Sequence, residues 1–225
     1  MIPGAFGSEI TKIPPMDEVL RRHSEKYRDH VRNGAVVVQK SLGFLSVSNF
    51  EYGQVAGTAQ AAQPFSLTSP AFKDGRPLAK KNAGNAPTNP NCVGQNVSPP
   101  FKWANPPAGT TSYALMMIDL EGRNGLGVVH WLAYDIPASV TGFAEGDTSK
   151  ASPKYVGGKG TAGKDFYTGP CTPPNTTFHH YTFTLVATDL DPKALPPGLT
   201  RDELLMKLDG HVKGAAGLIG LFKHP

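Results

Sequence analysis

The fold class follows from residues 113–136, which read YALMMIDLEGRNGLGVVHWLAYDI. Two apolar runs, 113–119 and 128–136, flank a short segment of glycine and polar residues. Short apolar runs bounded by turn residues are typical of strands rather than helices. Similar runs recur at 65–69, 181–188 and 218–222. Working outward from the first pair, we predict a mainly β domain over residues 64–225, built as a sandwich or a barrel.

Helices are predicted on either side of these strands. Near the C-terminus, Thr200 and Glu203 form a capping box ahead of an apolar run, and Gly210 ends the helix. Residues 1–63 are predicted to be an extension that begins with an amphipathic helix over about 16–33 and continues as a loose connector rich in glycine, alanine and serine. The apolar face of that helix would pack against the main domain, a protein partner or a second copy in a homodimer.

The charge pattern argues against several classes of protein. The net charge is +4, but the basic residues are scattered, and no arginine-rich stripe alternates with aromatic residues, so a nucleic-acid partner is not expected. No apolar stretch approaches the ~20 residues that span a bilayer, so no transmembrane segment is predicted. The sequence carries no phosphate-loop, nucleophile-elbow or cofactor motif, and we expect no cofactor.

The cysteine content links the redox state to the location of the protein. The chain has two cysteines, Cys92 and Cys171, which cannot form a tetrahedral zinc site alone and are either buried thiols or one disulfide. Residues 1–15 lack the basic start and apolar core of a signal peptide, which favours a cytoplasmic location. A disulfide would instead favour the periplasm or secretion.

Four polar residues stand at or beside the predicted strands. Asp119 ends one apolar run and Glu121 follows it, His130 lies inside the next run, and His179 precedes the run at 181–188. Alternation gives each histidine apolar neighbours on its own face. These are Val128, Leu132 and Tyr134 for His130, and Tyr181, Phe183 and Leu185 for His179. Both rings are therefore predicted to point inward, and a carboxylate is the natural hydrogen-bond partner of a buried imidazole. Taken singly, such residues are more often structural than functional, because an inward histidine is usually a satisfied core residue and an aspartate at a strand end is usually a turn residue.

Three blocks of sequence carry a family resemblance. The first comprises NVSPPFKW at 96–103 and PPAGTTS at 106–112. The second is DLEGRNGLGVVHW at 119–131, followed by DIP, and the third combines YTGPCTPP at 167–174 with HHYTF. In order and spacing these blocks resemble the phosphatidylethanolamine-binding proteins, which are also called Raf-kinase-inhibitor-like proteins, and the cysteines resemble those of the bacterial branch.

The resemblance implies a β-sandwich of Greek-key type with a few peripheral helices and a small surface cavity. Such a cavity would bind phosphate, phosphorylethanolamine or a phospholipid head group, and the protein would modulate a kinase or another signalling partner. The ligand-binding residues carried over from the family are Asp119, Glu121, His130, Gly169, Pro170, Pro173, Pro174, His179 and Tyr181. Backbone N–H groups of the Gly-Pro segment would donate to the anion. In this context, a bridge between Cys92 and Cys171 would fasten a long loop to the cavity wall.

Two other functions remain open for the same residues. In an enzyme, Asp119, His130, His179 and Tyr181 would be the general acid–base groups of a lyase, isomerase or hydrolase. In a metal site, Asp119, Glu121, His130 and His179 would be the ligands, although no tight spacing supports this. The chain departs from the family pattern at residues 120–123 and at Thr172 and His180. There Arg123 would either pair with Glu121 or reach an anion, and His180 would face away from the cavity.

Overall fold

The structure, a computed structural model, describes residues 63–225. The helix and connector predicted for the N-terminal extension lie outside the described residues. Within residues 63–225 no helix is long and apolar enough to cross a bilayer.

Two β-sheets form the framework. The strands are β1 Ser66–Thr68, β2 Arg76–Pro77, β3 Phe101–Ala104, β4 Ser112–Asp119, β5 Val128–Pro137, β6 Gly142–Phe143, β7 Val156–Gly157, β8 His179–Thr188 and β9 Val212–Phe222. The small sheet has the order β1-β3-β6, and the large sheet has the order β2-β9-β8-β4-β5-β7. Only the pairing of β2 with β9 is parallel among the described strands. Because β8 returns to lie beside β4 after β5 and β7, the large sheet contains the order of a Greek key.

The predicted elements agree well with this framework. The runs predicted at 113–119 and 128–136 are β4 and β5, and the run at 181–188 lies within β8. β9 begins at Val212, well before the predicted residue 218, because its first half is mostly glycine and alanine and carries little apolar signal. The helix α1 spans Arg201–Leu208, and the Thr200 side chain accepts a hydrogen bond from the backbone N–H of Glu203, as the capping box predicts.

The large sheet buries both of its faces. One face packs against the small sheet through residues such as Met117, Trp131 and Phe183. The other face packs against α1 and the preceding loop, where Leu132 and Tyr134 meet Leu204 and Leu208. Residues in the middle of β4 and β5 are therefore buried whichever way they point, and the cavity opens at the ends of the strands.

A β-bulge in β5 decides the direction of His130. The ladder pairs Met117 with Trp131 and then Ile118 with Val129. One step along β4 therefore corresponds to two steps along β5. His130 is the extra residue, and bulges of this kind place two successive side chains on the same side. His130 consequently accompanies Trp131 on the face toward the small sheet, and its ring centroid lies 5.1 Å from that of Tyr181.

The bulge also corrects the sequence prediction. Alternation was expected to place His130 on the same face as Leu132 and Tyr134, but both of those residues lie on the α1 side of the sheet. The inserted residue breaks the alternation between His130 and Leu132. Val128, which precedes the bulge, pairs with Asp119 and keeps the predicted face.

Candidate functional site

Asp119 and His179 form a buried pair at the end of the large sheet. They end β4 and begin β8, whose ladder pairs Asp119 with Tyr181. The Nδ1 atom of His179 donates to Oδ2 of Asp119 at 2.8 Å, and Asp119 is only 3% exposed. The other carboxylate oxygen accepts the backbone N–H groups of Glu121 and Gly122, both at 3.0 Å. The predicted carboxylate partner of a buried imidazole is thus present, and the ring of His179 is fixed by its Nδ1 atom.

His130 contacts the opposite wall of the same cavity. Its Nδ1 atom donates to the carbonyl oxygen of Thr168 at 2.8 Å, since a carbonyl can only accept. The Nε2 atom is buried and has no hydrogen-bond partner among the described residues. Burial of the ring lowers the pKa of His130, although the hydrogen bond to Thr168 and the charge of Asp119 act in the opposite direction. In the neutral ring with the proton on Nδ1, Nε2 is an acceptor.

This burial predicts an acid-sensitive fold. The unfolded chain takes up a proton at His130 more readily than the folded chain does, so the free energy of unfolding should fall as pH drops below about 6.5, the ordinary pKa of histidine. We expect the free energy of unfolding of the variant His130→Gln, measured in urea, to fall less steeply with decreasing pH than that of the wild type. The difference in slope should be up to about 1.4 kcal/mol per pH unit. His211→Gln, at an exposed histidine, is the control. If the free energy of unfolding falls equally steeply with decreasing pH in the wild type and in His130→Gln, the prediction is contradicted.

Tyr181 completes the inner wall. Its hydroxyl group lies 3.0 Å from the hydroxyl of Thr172. Burial raises the pKa of Tyr181, and the nearby charge of Asp119 adds to this effect, although the hydrogen bond with Thr172 lowers the pKa. The phenol is therefore protonated near neutral pH. It can donate a hydrogen bond to a ligand but cannot act as a base.

The Gly-Pro segment forms the wall in a different way from the prediction. Gly169 and Pro173 line the cavity, whereas Pro170 and Pro174 do not. The N–H of Gly169 donates to the side-chain oxygen of Asn96 at 2.8 Å, so this group is already engaged within the protein. Donation to an anion from other N–H groups of the segment stays a prediction. A Cβ atom at Gly169 would collide with the backbone of Asn82. Glycine is needed here because the two loops touch through their backbones.

A disulfide joins the same two loops. Cys92 and Cys171 are bridged, as the resemblance implies, and their Cα atoms lie 4.3 Å apart. Both cysteines line the cavity. Gly84 packs directly against the bridge, and its N–H donates to the carbonyl oxygen of Pro170 at 2.8 Å. The wall is therefore held by a covalent bond and by backbone hydrogen bonds.

Glu121, Arg123 and His180, which depart from the family pattern, form the outer rim, whereas Thr172 lies inside against Tyr181. Glu121 accepts a hydrogen bond from Nδ1 of His180 at 2.6 Å, and both side chains are substantially exposed. Burial on its own would raise the pKa of Glu121, but the hydrogen bonds to this carboxylate, those from His180 and from its own backbone among them, together outweigh burial and lower the pKa. Glu121 thus pairs with His180, a partner that the sequence analysis did not consider. Arg123 has the left-handed φ of 53° in a tight turn, Gly122–Gly125, and its side chain lines the cavity.

These walls enclose a cavity of about 860 Å³. Asp119, Glu121, His130, Gly169, Pro173, His179 and Tyr181 are the predicted site residues that line it. Lys164 and Arg123 add two cations to the lining. Within residues 63–225, no three histidine, cysteine or acidic side chains are grouped as metal ligands, so the metal alternative gains no support.

Sequence reasoning missed two residues that position the site. Asn96 has a φ of 57° and bridges the loops, since its amide donates to the Tyr167 carbonyl at 2.9 Å while its oxygen accepts from Gly169. Asparagine tolerates this left-handed conformation better than most residues, and that is the signal that could have identified it. Thr168 was also missed, although its carbonyl holds the ring of His130. Because this contact is made by a backbone atom, the type of residue at this position does not reveal it.

Comparison with known proteins agrees with this architecture. A family model described as phosphatidylethanolamine-binding protein matches residues 68–223. LppC of Mycobacterium tuberculosis, named as a candidate lipoprotein, is 36% identical over 169 residues, which cover 73% of this chain and 75% of LppC. The Chlamydia trachomatis protein CT736, described as a candidate phosphatidylethanolamine-binding protein homolog, has a TM-score of 0.61 and 32% identity over 72% of this chain and 98% of its own. The fold is also that of Escherichia coli YbcL, which has a TM-score of 0.64 and 24% identity over 71% of this chain and 98% of its own.

Proposed function

Because the chain belongs to the phosphatidylethanolamine-binding protein family and to its bacterial branch, we propose that its cavity binds a small phosphate-bearing anion. Inorganic phosphate and free phosphorylethanolamine, a phosphate monoester, share that chemistry. The observation that carries the proposal is the buried Nε2 atom of His130, which lacks a partner among the described residues. An unpaired buried polar atom costs free energy that a ligand can recover. His179, held by Asp119, brings a second ring to the same cavity.

The protonation state of His130 restricts the kind of anion that the cavity can bind. A neutral ring with an acceptor at Nε2 requires a ligand that brings its own proton. A phosphate monoanion carries a P–OH group near its second pKa of about 6, whereas sulfate is fully ionised and carries none. The remaining anionic oxygens would face Arg123 and Lys164, whose charges complement them. We therefore propose that the site selects phosphate and phosphate monoesters over sulfate.

We expect phosphate to bind about tenfold more tightly than sulfate at pH 6, which corresponds to one hydrogen bond to a buried acceptor. Titrations with phosphate, phosphorylethanolamine and sulfate, followed by the histidine ring resonances, would measure this. The resonances of His130 and His179 should shift, and His130→Gln should remove the preference for phosphate. His211→Gln, at an exposed histidine, should leave it unchanged. If neither ring responds to phosphate, or if sulfate binds as tightly, the proposal fails.

The pairing of Asp119 with His179 supports a second candidate, acid–base catalysis on a small substrate. A carboxylate that holds Nδ1 of an imidazole leaves Nε2 to exchange a proton with a substrate, and the protonated phenol of Tyr181 is a potential donor. Phosphorus spectra of phosphorylethanolamine incubated with the protein distinguish the two functions. An unchanged ester supports the binding protein, and release of inorganic phosphate supports a hydrolase.

The disulfide also bears on where the protein works. Disulfides persist in oxidising compartments, and the relative LppC is named as a candidate lipoprotein. We infer that the protein is periplasmic or secreted, rather than cytoplasmic as the first residues suggested. Trapping of thiols in intact cells would test this, because a cytoplasmic protein would be captured with both cysteines reduced. A role in modulating a kinase or another signalling partner stays a prediction, since it rests on the family resemblance alone.

A further inference from the structure

The lining of the cavity changes in character from its buried end to its open end. The buried side chains of the lining each carry a polar group, and they belong to Asp119, His130, Thr172 and Tyr181. We call these four residues the floor. The lining residues of three loops, at 85–89, 121–124 and 161–164, are mostly exposed and mark the opening. A ligand whose phosphate group lies on the floor therefore has the rest of the cavity in front of it.

Apolar groups of intermediate burial complete the lining. Val128, Phe166 and both halves of the disulfide are half-buried and line the cavity, and we call them the apolar belt. Val128 stands beside the floor, because a Cβ atom at Gly122 would lie 2.7 Å from the Val128 side chain and 3.0 Å from Oδ2 of Asp119. A group attached to a phosphate on the floor would therefore meet this side chain.

Hydrogen bonds to β5 bring Phe166 to the same end of the sheet. The N–H of Thr161 donates to the carbonyl oxygen of Val129 at 2.8 Å, and the N–H of Thr168 donates to that of His130 at 3.3 Å. Phe166 lies between these two bonds in the chain. The segment that carries its ring is thus fastened beside the floor at both ends.

The volume of the cavity exceeds what a phosphate group can fill. Cavities that hold organic ligands have volumes of about 300–1,000 Å³, and this one, of about 860 Å³, lies within that range. Inorganic phosphate is a single tetrahedral ion and fills only a small part of such a volume. An organic group that covers the apolar belt would remove apolar surface from water, which stabilises a complex.

The hydrogen bonding of His130 distinguishes between two kinds of phosphate ester. Its Nδ1 atom is bonded to the Thr168 carbonyl, so the buried Nε2 atom, which has no partner among the described residues, is the one that meets a ligand. A monoester carries a P–OH group near its second pKa of about 6, and this group can donate to Nε2 of the neutral ring. A diester has no P–OH group and would leave Nε2 without a donor, which costs free energy. The phosphate of an intact phospholipid is a diester.

Resting on the proposed binding of phosphate, we propose that the cavity binds a free organic phosphate monoester and discriminates against phosphodiesters. The phosphate group lies on the floor, and an apolar organic group lies against the apolar belt. The P–OH group selects monoesters, and the belt selects those with an apolar substituent. Phosphatidylethanolamine, which gives the family its name, is a diester and would be a poor ligand of this chain.

Calorimetric titration of the full chain at pH 6 with inorganic phosphate, n-butyl phosphate and dibutyl phosphate tests both parts of the proposal. We expect butyl phosphate to bind about tenfold more tightly than inorganic phosphate, because its chain buries apolar surface. Dibutyl phosphate should bind about tenfold less tightly than butyl phosphate, although it carries a second butyl chain. Equal or tighter binding of dibutyl phosphate would overturn the proposal. Butyl phosphate that binds no more tightly than inorganic phosphate would also overturn it.

Two variants connect these affinities to the residues. Phe166→Ala should bind butyl phosphate about fivefold less tightly than the wild type, and Leu205→Ala, at an exposed residue of α1, should bind it like the wild type. His130→Gln should lose the preference for butyl phosphate over dibutyl phosphate, because an amide can donate to either ester. Unchanged affinity in Phe166→Ala, or an unchanged preference in His130→Gln, would contradict the proposal.

The same titrations separate this inference from the proposed function on which it rests. If inorganic phosphate binds but the three ligands have equal affinities, the inference fails and the proposed phosphate binding stands. If none of the three ligands binds, the proposed function fails and the inference fails with it.

Discussion

Replacement of both Cys92 and Cys171 by serine is expected to lower the free energy of unfolding by about 4 kcal/mol and the melting temperature by roughly 10 °C. The bridge joins residues that are 79 positions apart, and a loop of that length restricts the unfolded chain strongly. The bridge also fastens one cavity wall to the other, so phosphate binding should weaken in the variant. Thermal unfolding and phosphate titration of the same sample would measure both effects.

The wild type supplies the control for this experiment. The chain contains two cysteines, so a reducing agent acts on this bridge and on no other in the chain. Reduced wild type should match the serine variant, and the serine variant should not respond to the reducing agent. A melting temperature that is the same with and without reducing agent would contradict the prediction.

Asp119→Ala is expected to destabilise the fold by about 3–5 kcal/mol, because it removes a buried charge from groups that depend on it. The N–H groups of Glu121 and Gly122 and the ring of His179 would all lose their acceptor. Asp119→Asn keeps the size of the side chain and one acceptor oxygen, so its cost in stability should be smaller. Its amide nitrogen cannot accept from Nδ1 of His179, so that variant should bind phosphate about tenfold less tightly.

A second aspartate–histidine pair provides a matched control. Asp189 accepts a hydrogen bond from Nδ1 of His211 at 2.7 Å, with the same chemistry but on the surface. Asp189→Asn should leave the free energy of unfolding almost unchanged, because exposed ion pairs contribute little to stability, and should leave phosphate binding unaltered. Urea unfolding and phosphate titration of the three variants would separate stability from binding. Equal phosphate affinity in Asp119→Asn and the wild type would show that the pair does not orient His179.

Local sequence patterns predicted most of the strands and the chief site residues. Buried strands such as β4 and β5 are continuous apolar runs, and the capping box of α1 is a side-chain signature, so both are visible in residue types. Asp119 and His179 were predicted as residues of one site because both stand at the ends of such strands. Which of the two histidines Asp119 holds was not predicted. The Gly- and Ala-rich half of β9 was missed because its pairing with β8, rather than its side chains, makes it a strand.

The remaining features depend on backbone geometry. A bulge inserts one residue into a ladder, and the sequence around His130 looks the same with or without it. The close contact between Gly169 and Asn82, and the bond from Thr168 to His130, likewise involve main-chain atoms. The pairing of Glu121 with His180 could not be predicted because it depends on the shape of a turn that departs from the family pattern.

The separation of Asp119 and His179 along the chain has a kinetic consequence. These two residues are 60 positions apart, and they belong to different antiparallel pairs, β4 with β5 and β8 with β9. Each pair can form from nearer segments, but joining β4 to β8 must close a long loop, which makes this a slow step of folding. The cavity cannot exist before that step is complete. A ligand such as phosphate would therefore bind only to chains whose sheet has fully assembled. The rate at which phosphate binding recovers during refolding would then measure the rate at which the two halves of the sheet dock.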